Sequence, residues 1–165
     1  MIMVKIRLAK LDDFDFFYEM KCEDINIFWT GHGTKPEREN LYSFFKTAIN
    51  NADHREARKI YIIEDDGRKV GHLYIIPEGT CFELATAVIQ QQQGKGYARK
   101  AIALGLDEGK NRGYKKMVTS IREDNIASMK AYTSCGVRVT DKFKMVYIPK
   151  LEKEVKMYFV EKELD

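Results

Sequence analysis

The chain has 165 residues, 44% of them hydrophobic and 32% charged, with only three prolines. A chain of this size buries most of its unfolded surface around one core, and this balance excludes disordered and collagen-like classes. Its 28 basic and 25 acidic residues leave a net charge of +3, too even for the basic stripe of a nucleic-acid-binding protein. No stretch approaches the ~20 apolar residues of a membrane span, and Met1 to Lys10 carries no apolar run behind a basic start. Three widely spaced cysteines, Cys22, Cys81 and Cys135, suit a reducing compartment and offer neither a disulfide framework nor a zinc pair. A single cytoplasmic domain over residues 1–165 is expected, with no metal, membrane or nucleic acid.

Val4 to Leu8 reads as a strand, and Leu11, Phe14, Phe17 and Tyr18 share one face of a helix running to Met20. Ile25 to Gly33, with Trp29 and two glycines, reads as a loop. Pro36 then opens a helix that presents Tyr42, Phe45 and Ile49 on one face. Lys59 to Glu64 and Lys69 to Ile76 form a hairpin about Asp65-Asp66-Gly67, and Phe82 to Ile89 is a third strand. A helix follows over about Gly96 to Arg112, where Ala98, Ala101, Gly105 and Gly109 allow close approach to a sheet. Lys116 to Ile121 is a strand, Asn125 to Cys135 a helix stopped by Gly136, and Phe143 to Ile148 and Met157 to Val160 are late strands, read as antiparallel. The order is β, α, α, β, β, β, α, β, α, β, β, an α/β fold with a mixed sheet and helices on both faces.

The chemistry concentrates where the third strand meets its helix, at Gln90-Gln91-Gln92-Gln93-Gly94-Lys95-Gly96. A Gly-Lys-Gly segment at a helix N-terminus exposes unsatisfied N–H groups in a favourable dipole, a seat for an anion such as a pyrophosphate. It is not a Walker loop, which needs Ser or Thr after Gly-Lys. Nor is it a dinucleotide fingerprint, because Arg99 stands where a third Gly or Ala belongs. A nucleotide-binding enzyme therefore has only Gly94-Lys95-Gly96 in its favour. Downstream, Asn125, Ser128 and Tyr132 lie at i, i+3 and i+7 and share one helix face.

Gln93-Gly94-Lys95-Gly96-Tyr97-Ala98 resembles the Gln/Arg-x-x-Gly-x-Gly/Ala motif of the GNAT superfamily of N-acetyltransferases, and Asn125 to Gly136 resembles that family's Asn-x-x-Ser-x-x-x-Tyr-x-x-x-Gly helix. The resemblance is specific over about Phe82 to Val137, with Val137 replacing the usual Phe. It implies a GNAT-like, largely antiparallel sheet and acetyl transfer from acetyl-CoA to a primary amine, by direct attack in a ternary complex. By that resemblance the loop residues Gln93, Gly94, Lys95, Gly96, Tyr97 and Ala98 cradle the coenzyme A pyrophosphate, with Arg99 available to its phosphates. Asn125 and Ser128 face the pantetheine arm, Val88 gives an oxyanion N–H, and Tyr132 protonates the departing thiolate. A bulge near Val88 is expected to splay this strand from the next.

The base stays open between Glu83, His72 and water; His32 and His54 fall in expected loops. No Ser/His/Asp or Cys/His set suggests a covalent route. Phe28 and Trp29 are candidate walls for the acceptor or closures of the core over the first helix. The acceptor, a small-molecule or protein amine, is not specified, nor are acyl groups other than acetyl. A homodimer is compatible with the sequence. The alternative is a non-catalytic acyl-CoA-binding sensor, against which Tyr132 argues.

Overall fold

The structure is a computed structural model, and it describes residues 3–30 and 33–165. The elements in chain order are β1 (Val4–Leu8), a 3-10 turn at Leu11–Asp13, α1 (Phe14–Lys21), α2 (Asp24–Thr30), α3 (Arg38–Asn50), β2 (Lys59–Asp65), β3 (Arg68–Glu78) and β4 (Cys81–Val88). After a 3-10 turn at Gln90–Gln92 come α4 (Tyr97–Asn111), β5 (Lys116–Arg122), α5 (Ile126–Ser134), β6 (Arg138–Ile148) and β7 (Lys153–Glu163).

The seven strands form one sheet in the order β1-β2-β3-β4-β5-β7-β6. All neighbours are antiparallel except β4 and β5. One face packs on α4: Phe82, Leu84, Leu73 and Ile75 meet Ala101, Ile102 and Leu106. The other packs on α1 and α3, where Phe14, Phe17 and Phe45 cover Ile60, Ile62 and Tyr74. Gly105 and Gly109 bring α4 close to β4, since a Cβ at Gly109 would stand 2.2 Å from the Phe82 ring and one at Gly105 would stand 2.7 Å from Leu84. The small residues of this helix thus serve the close approach expected of them.

The segment read as a loop from Ile25 is instead a short helix as far as Thr30. Its stability comes from outside itself. Asn26 Nδ2 donates to the Met20 carbonyl at 3.0 Å, and buried Arg122 of β5 donates to the Phe28 carbonyl at 2.8 Å. That guanidinium also lies 4.7 Å from the Phe28 ring centre and 4.8 Å from that of Trp29. Tertiary contacts override weak local propensity here.

The sheet opens at one place. β4 and β5 pair only through Cys81↔Lys116 and Phe82↔Met117, while β5 continues along β7 to Arg122↔Met157. Beyond Phe82 the two parallel strands diverge. The expected bulge is not the cause: β3 and β4 stay in one register from Glu78↔Cys81 to Gly71↔Val88. Tyr132 of α5 fills the place of the missing partner, its hydroxyl donating to the Leu84 carbonyl at 2.7 Å.

Candidate active site

A cavity of about 360 Å3 runs through the sheet at this opening. Leu84 to Val88 of β4 and Thr119, Ser120 and Ile121 of β5 form its rims. Ala98, Ile102, Asn125, Ser128 and Tyr132 line it from the α4 and α5 side, and Met20, Lys21, Asn26, Trp29, Thr30, His72 and Tyr74 from the α1 and α2 side. A second hollow of about 360 Å3 adjoins it, sharing Val88, Gln93, Ala98 and Ala131, and continues past Gly94, Gly96, Tyr97 and Arg99.

The second hollow is built by backbone. Gly94 and Gly96 both hold positive φ, 79° and 87°, and no atom lies within 4 Å of where either Cβ would stand. Gly96 caps α4 without any side-chain cap bond, so the first N–H groups of the helix face outward unsatisfied, as an anion site requires. This open cradle fits a coenzyme A pyrophosphate. Lys130 and Ser134 of α5 also line it; sequence spacing alone gave no signal for them, though they stand two residues before and after Tyr132.

The expected loop residues divide into two groups. Val88, Gln93, Gly94, Gly96, Tyr97, Ala98 and Arg99 are brought together, whereas exposed Lys95 lines neither hollow and its Nζ donates to Gln92 Oε1 at 3.1 Å. The Tyr97 side chain turns into the core, where its hydroxyl donates to Asp65, so the residue offers the hollow its backbone end. Gln93 Nε2 donates to the Val88 carbonyl at 3.0 Å, tying the loop to the end of β4.

Asn125 caps α5, its Oδ1 accepting from the Ser128 N–H at 3.2 Å, and both residues line the through-sheet cavity. Ile89 N donates to the Val70 carbonyl at 2.9 Å. By antiparallel alternation, Val88 at the preceding position turns its N–H away from β3 and toward the opening. The same alternation aims the Leu84 carbonyl at Tyr132. Burial pushes the Tyr132 phenol well above its ordinary value, so it carries its proton at any working pH.

On the far side, His72 is buried and neither ring nitrogen has a hydrogen-bond partner among the described residues. Burial, then the nearby Lys21 ammonium, hold its pKa well below 6.5, and the ring is neutral. Glu83 shares this sheet face, since Ile76↔Glu83 and His72↔Ala87 are register pairs two steps of alternation apart, but it does not line the cavity. Trp29 lines the cavity, and Phe28 packs against it with ring centres 4.7 Å apart. His54 lies in the turn after α3, and His32 lies outside the described residues. Among the described residues no group of three or more His, Cys, Asp or Glu side chains could hold a metal, and no helix is long and apolar enough to cross a membrane.

A family model described as the acetyltransferase (GNAT) family matches residues 17–137. The chain belongs to the GNAT acetyltransferase family. It is an acyltransferase, and the donor of its family is acetyl-CoA. No protein of curated function matches the sequence significantly. Among solved structures, an N-acetyltransferase from Staphylococcus aureus Mu50 superposes with a TM-score of 0.83 at 20% identity, covering 99% of each chain. The spermidine N-acetyltransferase of Vibrio cholerae, in complex with CoA and spermine, gives 0.85 at 16% identity over 97% of this GNAT chain and 95% of that one. The ribosomal-protein-alanine N-acetyltransferase of Brucella melitensis gives 0.80 at 19% identity, with 97% and 99% covered. At these identities the likeness establishes the fold.

Proposed function

We propose that this protein transfers an acetyl group from acetyl-CoA to a primary amine by direct attack, donor and acceptor meeting in the opening between β4 and β5. One observation carries the reading: two adjoining hollows, which share Val88 and Ala98, link the anion cradle at the start of α4 to the α1 and α2 face, with Tyr132 on the way. Acetyl-CoA supplies the thioester. The N–H groups at the start of α4, with Arg99 and Lys130 beside them, hold its phosphates, and Asn125 and Ser128 flank the arm that enters the sheet.

The acceptor approaches from the other face, so no covalent enzyme intermediate is required, and no cysteine lines the cavity. The Val88 N–H meets the charge that gathers on the thioester oxygen. As the N–C bond forms and the C–S bond breaks, the nitrogen gives up one proton and the thiolate takes one. Neutral His72 receives the first, being a cavity-lining base with both ring nitrogens unengaged among the described residues; Tyr132 delivers the second. Glu83, on the same face but outside the lining, is the second candidate base.

The test is a pH–rate profile of His72→Gln and Glu83→Gln beside the wild type. Loss of about 10²-fold in kcat and of the acid limb, where protonation of His72 would silence the base, in His72→Gln alone supports the assignment. The same loss in Glu83→Gln alone transfers the role to Glu83. Failure of calorimetry to detect acetyl-CoA binding would remove the whole reading.

A further inference from the structure

The acceptor half of the cavity carries an unanswered positive charge. Lys21, in the last turn of α1, lines it in a half-buried position. Its Nζ lies 5.4 Å from the centre of the Phe17 ring and 5.0 Å from that of Tyr74. No carboxylate pairs with it among the described residues. Aromatic faces give a cation only weak compensation, and Arg58, stacked 5.2 Å from the same Tyr74 ring, adds a second positive charge nearby. Burial first, and Arg58 second, push the Lys21 ammonium down to about 8.

The lining holds no Asp or Glu at all among the described residues, and the four residues outside the description, Met1, Ile2, Gly31 and His32, bring no side-chain carboxylate. Of the two acids two positions away in sequence, Glu19 is exposed and outside the lining, and Glu23 is engaged elsewhere: its carboxylate accepts from the Gln90 N–H at 3.1 Å and from Asn26 Nδ2 at 3.0 Å. Arg122 is answered by Asp124 at 2.8 Å. Lys21 is therefore the charge that a ligand has to meet. A polycationic acceptor would find repulsion and no counter-charge, whereas an anionic oxygen group would replace the water that Lys21 loses on burial.

Given the acetyl-transfer reading above, on which this inference rests, we propose that the acceptor is a small amine that also carries an anionic oxygen group, a carboxylate or a phosphate, held by Lys21 with its amine toward His72. The neutral imidazole stands in the same half of the cavity, with both nitrogens unpartnered among the described residues. Lys21 then sets specificity by charge while His72 deals with the proton.

The experiment is thiol release from acetyl-CoA by the full chain against four acceptor arms: the protein amino acids, their decarboxylated amines, phosphoserine with phosphoethanolamine, and spermidine. Faster kcat/KM for a carboxylate or phosphate arm than for its matched neutral amine is the expected result, and which arm leads distinguishes the two anions. In Lys21→Gln and Lys21→Met that preference should fall by about tenfold or more, the scale of one charge-assisted contact. Lys21→Arg should keep most of it, and the Kd for acetyl-CoA should be unchanged in all three. Preference for spermidine or neutral amines, an unaltered preference in Lys21→Gln, or acetyl-CoA binding without turnover of any anionic acceptor would each overturn the inference. Absent acetyl-CoA binding would instead defeat the reading beneath it.

Discussion

The Tyr132 hydroxyl donates to the Leu84 carbonyl across the open edge of β4, at 2.7 Å. One bond thus does two things. It satisfies a strand carbonyl that β5 has abandoned, and it fixes a protonated phenol at the rim of the opening. The same residue that holds the strands apart is the acid proposed for the leaving thiolate.

Tyr132→Phe separates these roles. Losing the acid should lower kcat by about one to three orders of magnitude while the Kd for acetyl-CoA changes little. Leaving the buried Leu84 carbonyl without its donor should also cost about 1–3 kcal/mol of stability. Steady-state kinetics and a urea midpoint measured on the same variant read the two effects independently. Full kcat with reduced stability would make Tyr132 a structural wedge alone.

Gly96→Ala should weaken acetyl-CoA binding by more than its strain on folding explains. Both Gly96 and Gly79 hold positive φ, 87° and 63°, with no atom within 4 Å of the missing Cβ. Each Ala variant therefore bears a similar conformational cost of about 1 kcal/mol. Only Gly96 borders the cradle, so calorimetric Kd should rise in Gly96→Ala and stay at the wild-type value in Gly79→Ala. Equal affinity in both variants would move the phosphates away from the start of α4.

Arg122→Lys should loosen α2 without touching the donor side. A lysine cannot reproduce the fork that bonds Asp124 twice and the Phe28 carbonyl once while stacking on two rings. The acceptor KM should rise about tenfold with the acetyl-CoA Kd unchanged, a loss typical of one misplaced wall. Trp29 is the sole tryptophan of the chain, so its fluorescence reports whether α2 has shifted. An unchanged spectrum and unchanged KM would mean that α2 does not shape the acceptor site.

What the sequence disclosed follows the range of the interactions. The hairpin of β2 and β3 and the junction of β4 with α4 are written in neighbouring residues, through turn chemistry and helix-spaced small side chains. α2 is not, because Arg122 supports it from 94 positions away. The Tyr97 hydroxyl likewise turns to Asp65, 32 positions earlier, a direction no local pattern encodes. The cradle could be read from its glycines; of the acceptor wall, Trp29 and His72 are legible as separate candidates, but Lys21 and the grouping of the three are not. Lys21, His72 and Trp29 come from three separate elements, and only the folded sheet brings them to one cavity.

Asp13→Asn should destabilise the protein strongly at neutral pH and progressively less in acid. The buried Asp13 carboxylate takes Arg7 Nη1 at 2.8 Å, Lys69 Nζ at 2.7 Å and the Lys10 N–H at 2.8 Å; Arg7 also reaches Glu64 at 2.9 Å. Burial alone would raise this carboxyl, but the hydrogen bonds from Arg7 and Lys69 outweigh it and hold the pKa well below the ordinary 3.8. A lowered folded pKa means that the unfolded chain binds the proton more readily. The stabilisation is therefore complete above the unfolded value near 3.8 and is lost as pH falls from there toward the folded one. Removing the carboxylate strands the Lys69 ammonium and leaves Arg7 with Glu64 alone, and should cost about 3 kcal/mol, a fall of roughly 6–12 °C in Tm for a chain of this size. Melting curves of both proteins at pH 7 and near pH 3 check the sign: the gap should be full at the first and narrowed at the second. A constant gap at both would show that Asp13 acts through packing and not through its charge.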